Sequence, residues 1–154
     1  MNVVRVPVIL LTTSLLALGA CGSPDGPEST PIPLSTVRLE QQQSGTDVLL
    51  QAVSAVDENV VWVSGHGGTW ARTLDGGATW TAHVMEGADT LQFRDVHALD
   101  ADRAWLLSSG SGELSRIYRT RDGGETWELQ FLNPEPDGFY DCLEFRDAKH
   151  GLVY

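Results

Sequence analysis

Basic residues are scarce in this chain of 154 residues: 10 Lys and Arg stand against 21 Asp and Glu, for a net charge of −11. Neutralising phosphate takes Lys and Arg, so no nucleic-acid partner is expected. Such acidity gives solubility and attracts cations, and says nothing about the fold. Cysteine is nearly absent too. Of the 2 cysteines, Cys21 closes an apolar leader, which leaves Cys142 alone and no intramolecular disulfide to staple the domain. Cys142 lies in an apolar stretch, 140–145, expected to be a strand, where a small buried hydrophobe is the better reading than a nucleophile. No Gly-x-Gly-x-x-Gly follows a strand and opens a helix, so no nucleotide cofactor is expected. His66, His83, His97 and His150 lack the spacing of metal ligands, and no metal site is expected. Asp57-Glu58 and Asp100-Ala-Asp102 offer too few oxygens for a calcium loop and read as solvated turns.

The first residues carry an address. Arg5 is a short basic start, 6–18 is an apolar run broken by Pro7 and by Thr12-Thr13-Ser14, and Leu18-Gly19-Ala20-Cys21 supplies small residues before a cysteine. This is the form of a secretory signal peptide, too short for a membrane span. Leu18-Gly-Ala-Cys21 resembles the lipobox of bacterial lipoproteins. The resemblance implies cleavage before Cys21, acylation of its sulfur and a place in the bacterial cell envelope; in a Gram-negative host, Gly22 after the cysteine resembles outer-membrane sorting. An ordinary signal peptide that happens to contain a cysteine is the alternative. Residues 21–36, with Pro24, Pro27, Pro31 and Pro33, read as an extended tether, and 37–47 as an entry strand and loop.

The chain is organised around a repeat. Thr73-Leu-Asp75-Gly-Gly77-Ala-Thr79-Trp80 returns 47 positions later as Thr120-Arg-Asp122-Gly-Gly124-Glu-Thr126-Trp127, identical at six of eight positions, with Arg72 and Arg119 preceding the two copies. A period of this size marks stacked supersecondary units. An aspartate that opens a turn accepts backbone N–H groups, Gly-Gly supplies the positive φ of a tight hairpin, and Thr-Trp starts the next strand. Each copy therefore reads as a β-hairpin with a polar knot at its tip and an indole beside it. The two segments match the Asp-box, or BNR repeat, at every fixed position. With the preceding arginine they resemble the photosystem II stability/assembly factor-like proteins, over roughly 49–154. The resemblance implies an all-β fold, a β-propeller of four-stranded antiparallel blades whose first strand lines the central channel. It implies that Thr73, Asp75, Gly77, Thr79, Trp80, Thr120, Asp122, Gly124, Thr126 and Trp127 are structural; the motif is a weak guide to chemistry.

Blades are expected over about 48–86 and 91–132, with a third begun at 139–154. In the first, strands are expected at 48–56, 60–63, 69–73 and 79–85; in the second, at 91–99, 104–107, 116–120 and 126–132. Trp62 and Trp105 fall at matching places in the second strands, where packing between blades is expected. The second unit carries four extra residues in the loop 108–115, since Trp62 to Asp75 spans 13 positions and Trp105 to Asp122 spans 17. Closed propellers need roughly four to eight blades, so the sequence reads as the first part of a longer polypeptide or as a truncated gene product, with a self-assembling partial propeller as the lesser alternative.

Two functions follow. The first is a non-catalytic envelope lipoprotein that binds a protein or glycan, a scaffold of the assembly-factor kind without cofactor. Trp70, which has no equivalent in the other repeat, where Ile117 or Tyr118 falls nearby, is its candidate ligand-facing residue. The second is the N-terminal part of a sialidase-like glycoside hydrolase whose catalytic residues lie beyond Tyr154, or a relative loosely labelled oxidoreductase. Sialidases need three arginines on the substrate carboxylate, a Tyr/Glu pair and an acid/base Asp; Phe93-Arg94 is followed by Asp95-Val96, not by the apolar residue and proline of the sialidase pattern. No catalytic residue is assigned.

Overall fold

A computed structural model describes residues 2–4 and 38–154. Its strands are β1 Asn2–Val4, β2 Gln41–Gln43, β3 Leu50–Ala55, β4 Val61–Gly65, β5 Thr69–Thr73, β6 Thr81–Val84, β7 Phe93–Ala98, β8 Ala104–Ser108, β9 Arg116–Thr120, β10 Glu128–Leu132, β11 Leu143–Asp147 and β12 His150–Val153. The described residues contain no α-helix, only the 3-10 turn Gly112–Leu114. Strands β3-β4-β5-β6 form one antiparallel meander and β7-β8-β9-β10 a second, while β11 and β12 pair as a hairpin. These are two propeller blades and the opening pair of a third, as the repeat implies.

The run Ala104-Trp-Leu-Leu shows why the blades stack. Its side chains alternate between the faces of the sheet, as in any strand. Ala104 and Leu106 join Trp62, Trp70, Phe93 and Val96 in the core towards the first blade, whereas Trp105 and Leu107 join Ile117 and Leu143 on the other face. A strand covered on both sides is apolar at every position rather than at every second one, and all of β8 is buried. β7 packs against β3 and β4 and also touches β11, so the first strands of successive units are neighbours. Backbone and hydroxyl bonds tie them: the Ser54 hydroxyl accepts from the amide of Ala98 at 2.9 Å, and the Ser64 hydroxyl donates to the carbonyl of Phe93 at 3.1 Å.

The turn between the first two strands is built the same way in all three units. Asp57, Asp100 and Asp147 each accept the amides two and three residues on, at 2.7 and 2.8 Å, 2.9 and 2.7 Å, and 2.8 and 3.0 Å. Each is an Asx turn closed by its own backbone, which accounts for Asp57 and Asp100 as the turns expected. The extra residues of the second blade form the 3-10 turn, pinned by Ser115 Oγ to the Gly110 carbonyl at 2.6 Å and by Ser108 Oγ to that of Leu114 at 2.7 Å.

Some features differ from the sequence reading. Cys142 is half-buried and sits one residue before β11 rather than inside it. The fourth strands start later than expected, at Thr81 and Glu128, because Thr79 and Thr126 are drawn into the turns by the aspartates. At the start of the chain β1 pairs antiparallel with β2, Asn2 opposite Gln43 and Val4 opposite Gln41; the open edge of a short strand accepts any extended segment. Cys21, the rest of the leader and the tether 21–36 lie outside the described residues.

Candidate functional site

The two knot hairpins, 73–80 and 120–127, have the same bonds. In the first, Thr73 Oγ1 donates to Asp75 Oδ1 at 2.8 Å and accepts the amide of Gly77 at 2.9 Å. Asp75 Oδ1 also accepts the amide of Thr79 at 2.8 Å, and its Oδ2 accepts the hydroxyl of Thr79 at 2.6 Å. Thr120, Asp122, Gly124 and Thr126 repeat the set at 2.8, 2.9, 2.9 and 2.5 Å. The glycines take the left-handed region that the turn needs, with φ of 66° and 85° at Gly76 and Gly77 and 72° and 93° at Gly123 and Gly124. Hydrogen bonds from the Thr79 hydroxyl and amide, then from Thr73, hold the Asp75 carboxyl down to about 2; Thr126 and Thr120 do the same for Asp122. A carboxylate that accepts this many donors is a poor proton shuttle at neutral pH, so the repeated aspartates fasten turns.

Each knot is covered by an earlier part of the chain, the first by β2 and the second by β5 of the preceding blade. The indole N–H of Trp80 donates to Gln42 Oε1 at 3.0 Å, and the Gln42 amide lies against Gly77. At the second knot the ring of Trp70 lies on Gly124 and the guanidinium of Arg72 on Gly123. Arg72 also donates to the carbonyl of Ala101 and stands 5.0 Å over Trp62, whose own N–H reaches the carbonyl of Asp100 at 3.1 Å. Arg119 stands likewise over Trp105 at 4.9 Å. The arginine before each knot is thus a rung across the blade, cross-strand from the tryptophan of the second strand. Cation–π contact, desolvated as here, gives it a structural reason. Trp62 and Trp105 pack between units as expected, Trp105 stacked on Phe145 at 4.0 Å.

Where the first blade's outer edge meets the second knot, a groove of about 740 Å³ opens. Its wall is aromatic. Trp70 stacks on His83 at 4.6 Å and meets Trp127 edge-on at 5.5 Å; Tyr118 and Met85 complete it. Its rim carries Glu86, Glu125 and Arg72. Trp70, the residue picked from sequence as ligand-facing, is at this wall but only 3% exposed; most of its ring is spent on Trp62, Trp127 and Gly124. His83, exposed and flat on the indole, carries the accessible face. No sequence signal marks the groove, because its two sides come from different repeats. The described residues hold no cluster of three or more His, Cys, Asp or Glu that could bind a metal ion.

Arg103 and Arg121 lie within electrostatic reach of Arg119, yet the arginines of the described residues have separate local contacts. Arg94 pairs with Asp141 at 3.2 Å, Arg103 with Asp100 at 2.5 Å, and Arg121 with Glu128 at 3.7 Å, while Arg116 donates to the carbonyl of Glu113 at 2.6 Å. Asp95 is spent on the fold: it accepts the amides of Leu143 at 2.7 Å and Val96 at 2.9 Å, and burial pushes its carboxyl up.

No protein-family model matches the chain. Among characterised proteins it is similar to the photosystem II assembly lipoprotein Ycf48 of Synechococcus sp. (strain CC9902), 25% identical over 134 residues, which cover 86% of this chain and 38% of that protein. Among solved structures it is similar to YCF48 bound to D1 peptide, with a TM-score of 0.59 and 24% identity over 72% of this chain and 35% of that one. YCF48 from Cyanidioschyzon merolae gives a TM-score of 0.50 and 27% identity over 64% and 31%. The chain spans less than two fifths of the length of the relatives it matches. The fold is that of their β-propeller.

Proposed function

We propose that the chain is a binding section of an Asp-box β-propeller, a non-catalytic scaffold that holds a segment of another protein at the bacterial cell envelope. The observation that carries this reading is the closure of the repeated chemistry on itself. Asp75 and Asp122 have their oxygens filled by threonine and backbone donors, and the arginines each serve a different local contact. What the surface offers is a groove and strand edges, which is the equipment of recognition. The likeness to an assembly lipoprotein supports the reading, and a relative solved with a peptide makes an extended protein segment the expected client. Nothing in this ties the client to photosynthesis.

The address follows from the leader. Lipid carried on Cys21 anchors the chain, and 21–36 holds the blades off the bilayer. Cleavage before Cys21 removes β1 and leaves β2 as the cover of the first knot through Gln42. Metabolic labelling of cells with a fatty acid tests the anchor: the wild type takes up label and stays with membranes, and Cys21→Ser does neither. Photo-crosslinking from Thr81 or Leu132, both exposed, tests the scaffold. Discrete protein adducts are expected; turnover of a fluorogenic sialoside by the same preparation would make the glycosidase reading the correct one.

A further inference from the structure

The groove between the blades has a chemistry of its own. Its wall is built from four rings, Trp70, His83, Tyr118 and Trp127. Glu86 and Glu125, one from each of the two repeats that line it, are exposed and make no ion pair or hydrogen bond among the described residues. The fixed cation of the rim, Arg72, is already committed to the Ala101 carbonyl and to the face of Trp62. Two uncommitted carboxylates over an aromatic wall favour an ammonium or guanidinium, through Coulomb attraction and the ring quadrupole. The chain's net charge of −11 draws the same kind of partner from a distance. One wall is β6, the edge strand of its sheet among the described residues, with Gly45 against Ala82 near its start; an extended segment can lie along the rest of that edge by adding a strand.

We infer that this groove seats an extended, lysine- or arginine-bearing segment of the partner protein, its cation between Glu86 and Glu125 and its neighbouring apolar side chain on the His83–Trp70 stack. This rests on the scaffold reading above and names the class of segment and the place.

The test uses the full chain and a fluorescein-labelled peptide of alternating lysine and valine, read by anisotropy at low salt. An alternating glutamate–valine peptide is the opposite-charge probe. The Glu86→Gln, Glu125→Gln double variant removes the two groove carboxylates. A Glu135→Gln, Asp137→Asn double variant removes the same charge from an exposed turn away from the groove. Saturable binding of the lysine peptide is expected, weakened about tenfold by the groove pair and much less by the turn pair, and falling as salt screens the contact. The glutamate peptide should not bind. Equal loss in both double variants would reduce the effect to net charge and overturn the inference, as would no loss in the groove pair. Absence of lysine-peptide binding to the wild type would also overturn it. Protein adducts in the photo-crosslinking experiment that persist in the groove pair would leave the scaffold reading standing while removing this site from it.

Discussion

Gly124 is a point of close approach between the two blades, and a methyl group there gives a sharp test of how they are joined. A Cβ at Gly124 falls inside the ring of Trp70, at a backbone φ of 93°. Trp70 has little room to retreat, being 3% exposed and held by Trp62, His83 and Trp127. Two other glycines separate the terms. Gly87 has φ of 72° and nothing within 4 Å of a Cβ, so Gly87→Ala reports backbone strain alone, about 1 kcal/mol. Gly77 has φ of 85° and would meet first the side-chain amide of Gln42, the end of a flexible side chain; Gly77→Ala adds the lost Trp80–Gln42 bond, for a total of roughly 2 kcal/mol. Gly124→Ala adds overpacking of a rigid core, about 1–3 kcal/mol beyond the strain. Urea unfolding of the full chain measures all three, with midpoints expected to fall in the order Gly87, Gly77, Gly124. Trp70→Leu should cost less in the Gly124→Ala background than in the wild type, since the smaller ring volume relieves the clash. If Gly124→Ala is no worse than Gly87→Ala, the second knot is not wedged on Trp70 and the account of the blade interface is wrong.

Other consequences can be measured with the same unfolding assay. Because Asp75 and Asp122 are depressed to about 2 from an ordinary 3.8, their stabilisation is complete above pH 3.8 and is lost as pH falls through 2; Asp75→Asn with Asp122→Asn should flatten the acid limb, and an unchanged limb would remove the aspartates from it. Thr69 Oγ1 is buried without a hydrogen-bond partner among the described residues, so Thr69→Val should raise stability by about 1 kcal/mol; a loss would mean that the hydroxyl has a partner in solution. Asp95→Ala leaves the amide of Leu143 without its acceptor and should cost about 1–3 kcal/mol, with faster amide exchange at Leu143 than at Ala98; equal exchange at the two would contradict the bridge to β11.

Much of the fold is legible in the sequence because the repeat is local. Strands β5 and β9 are found where expected, each a run of five residues with a glycine-bearing turn or loop before it and a knot after it. The knot is readable because its whole hydrogen-bond set lies within eight residues. The turns at Asp57, Asp100 and Asp147 were visible only in part, since they share one aspartate and no other residue. Contacts between repeats were out of reach. Nothing near Gln42 announces that it covers Trp80, and nothing near Trp70 announces Gly124, because each pair is set by stacking rather than by period. The arginines before the knots carried a signal, their recurrence, but their rung over Trp62 and Trp105 depends on cross-strand register. The groove follows from the same cause: it belongs to neither repeat.

Amide hydrogen exchange at the knots tests the central claim, that the repeated Asp, Thr and Gly residues are consumed by the fold. The amides of Gly77, Thr79, Gly124 and Thr126 sit in hairpins at the surface but donate to Thr73, Asp75, Thr120 and Asp122. They should be protected to the same order as the amides of β5 and β9, and those of Thr79 and Thr126 should lose that protection in Asp75→Ala and Asp122→Ala. Exchange of these four amides at the rate of an open loop would show that the side chains are free for chemistry, and the scaffold reading would fall.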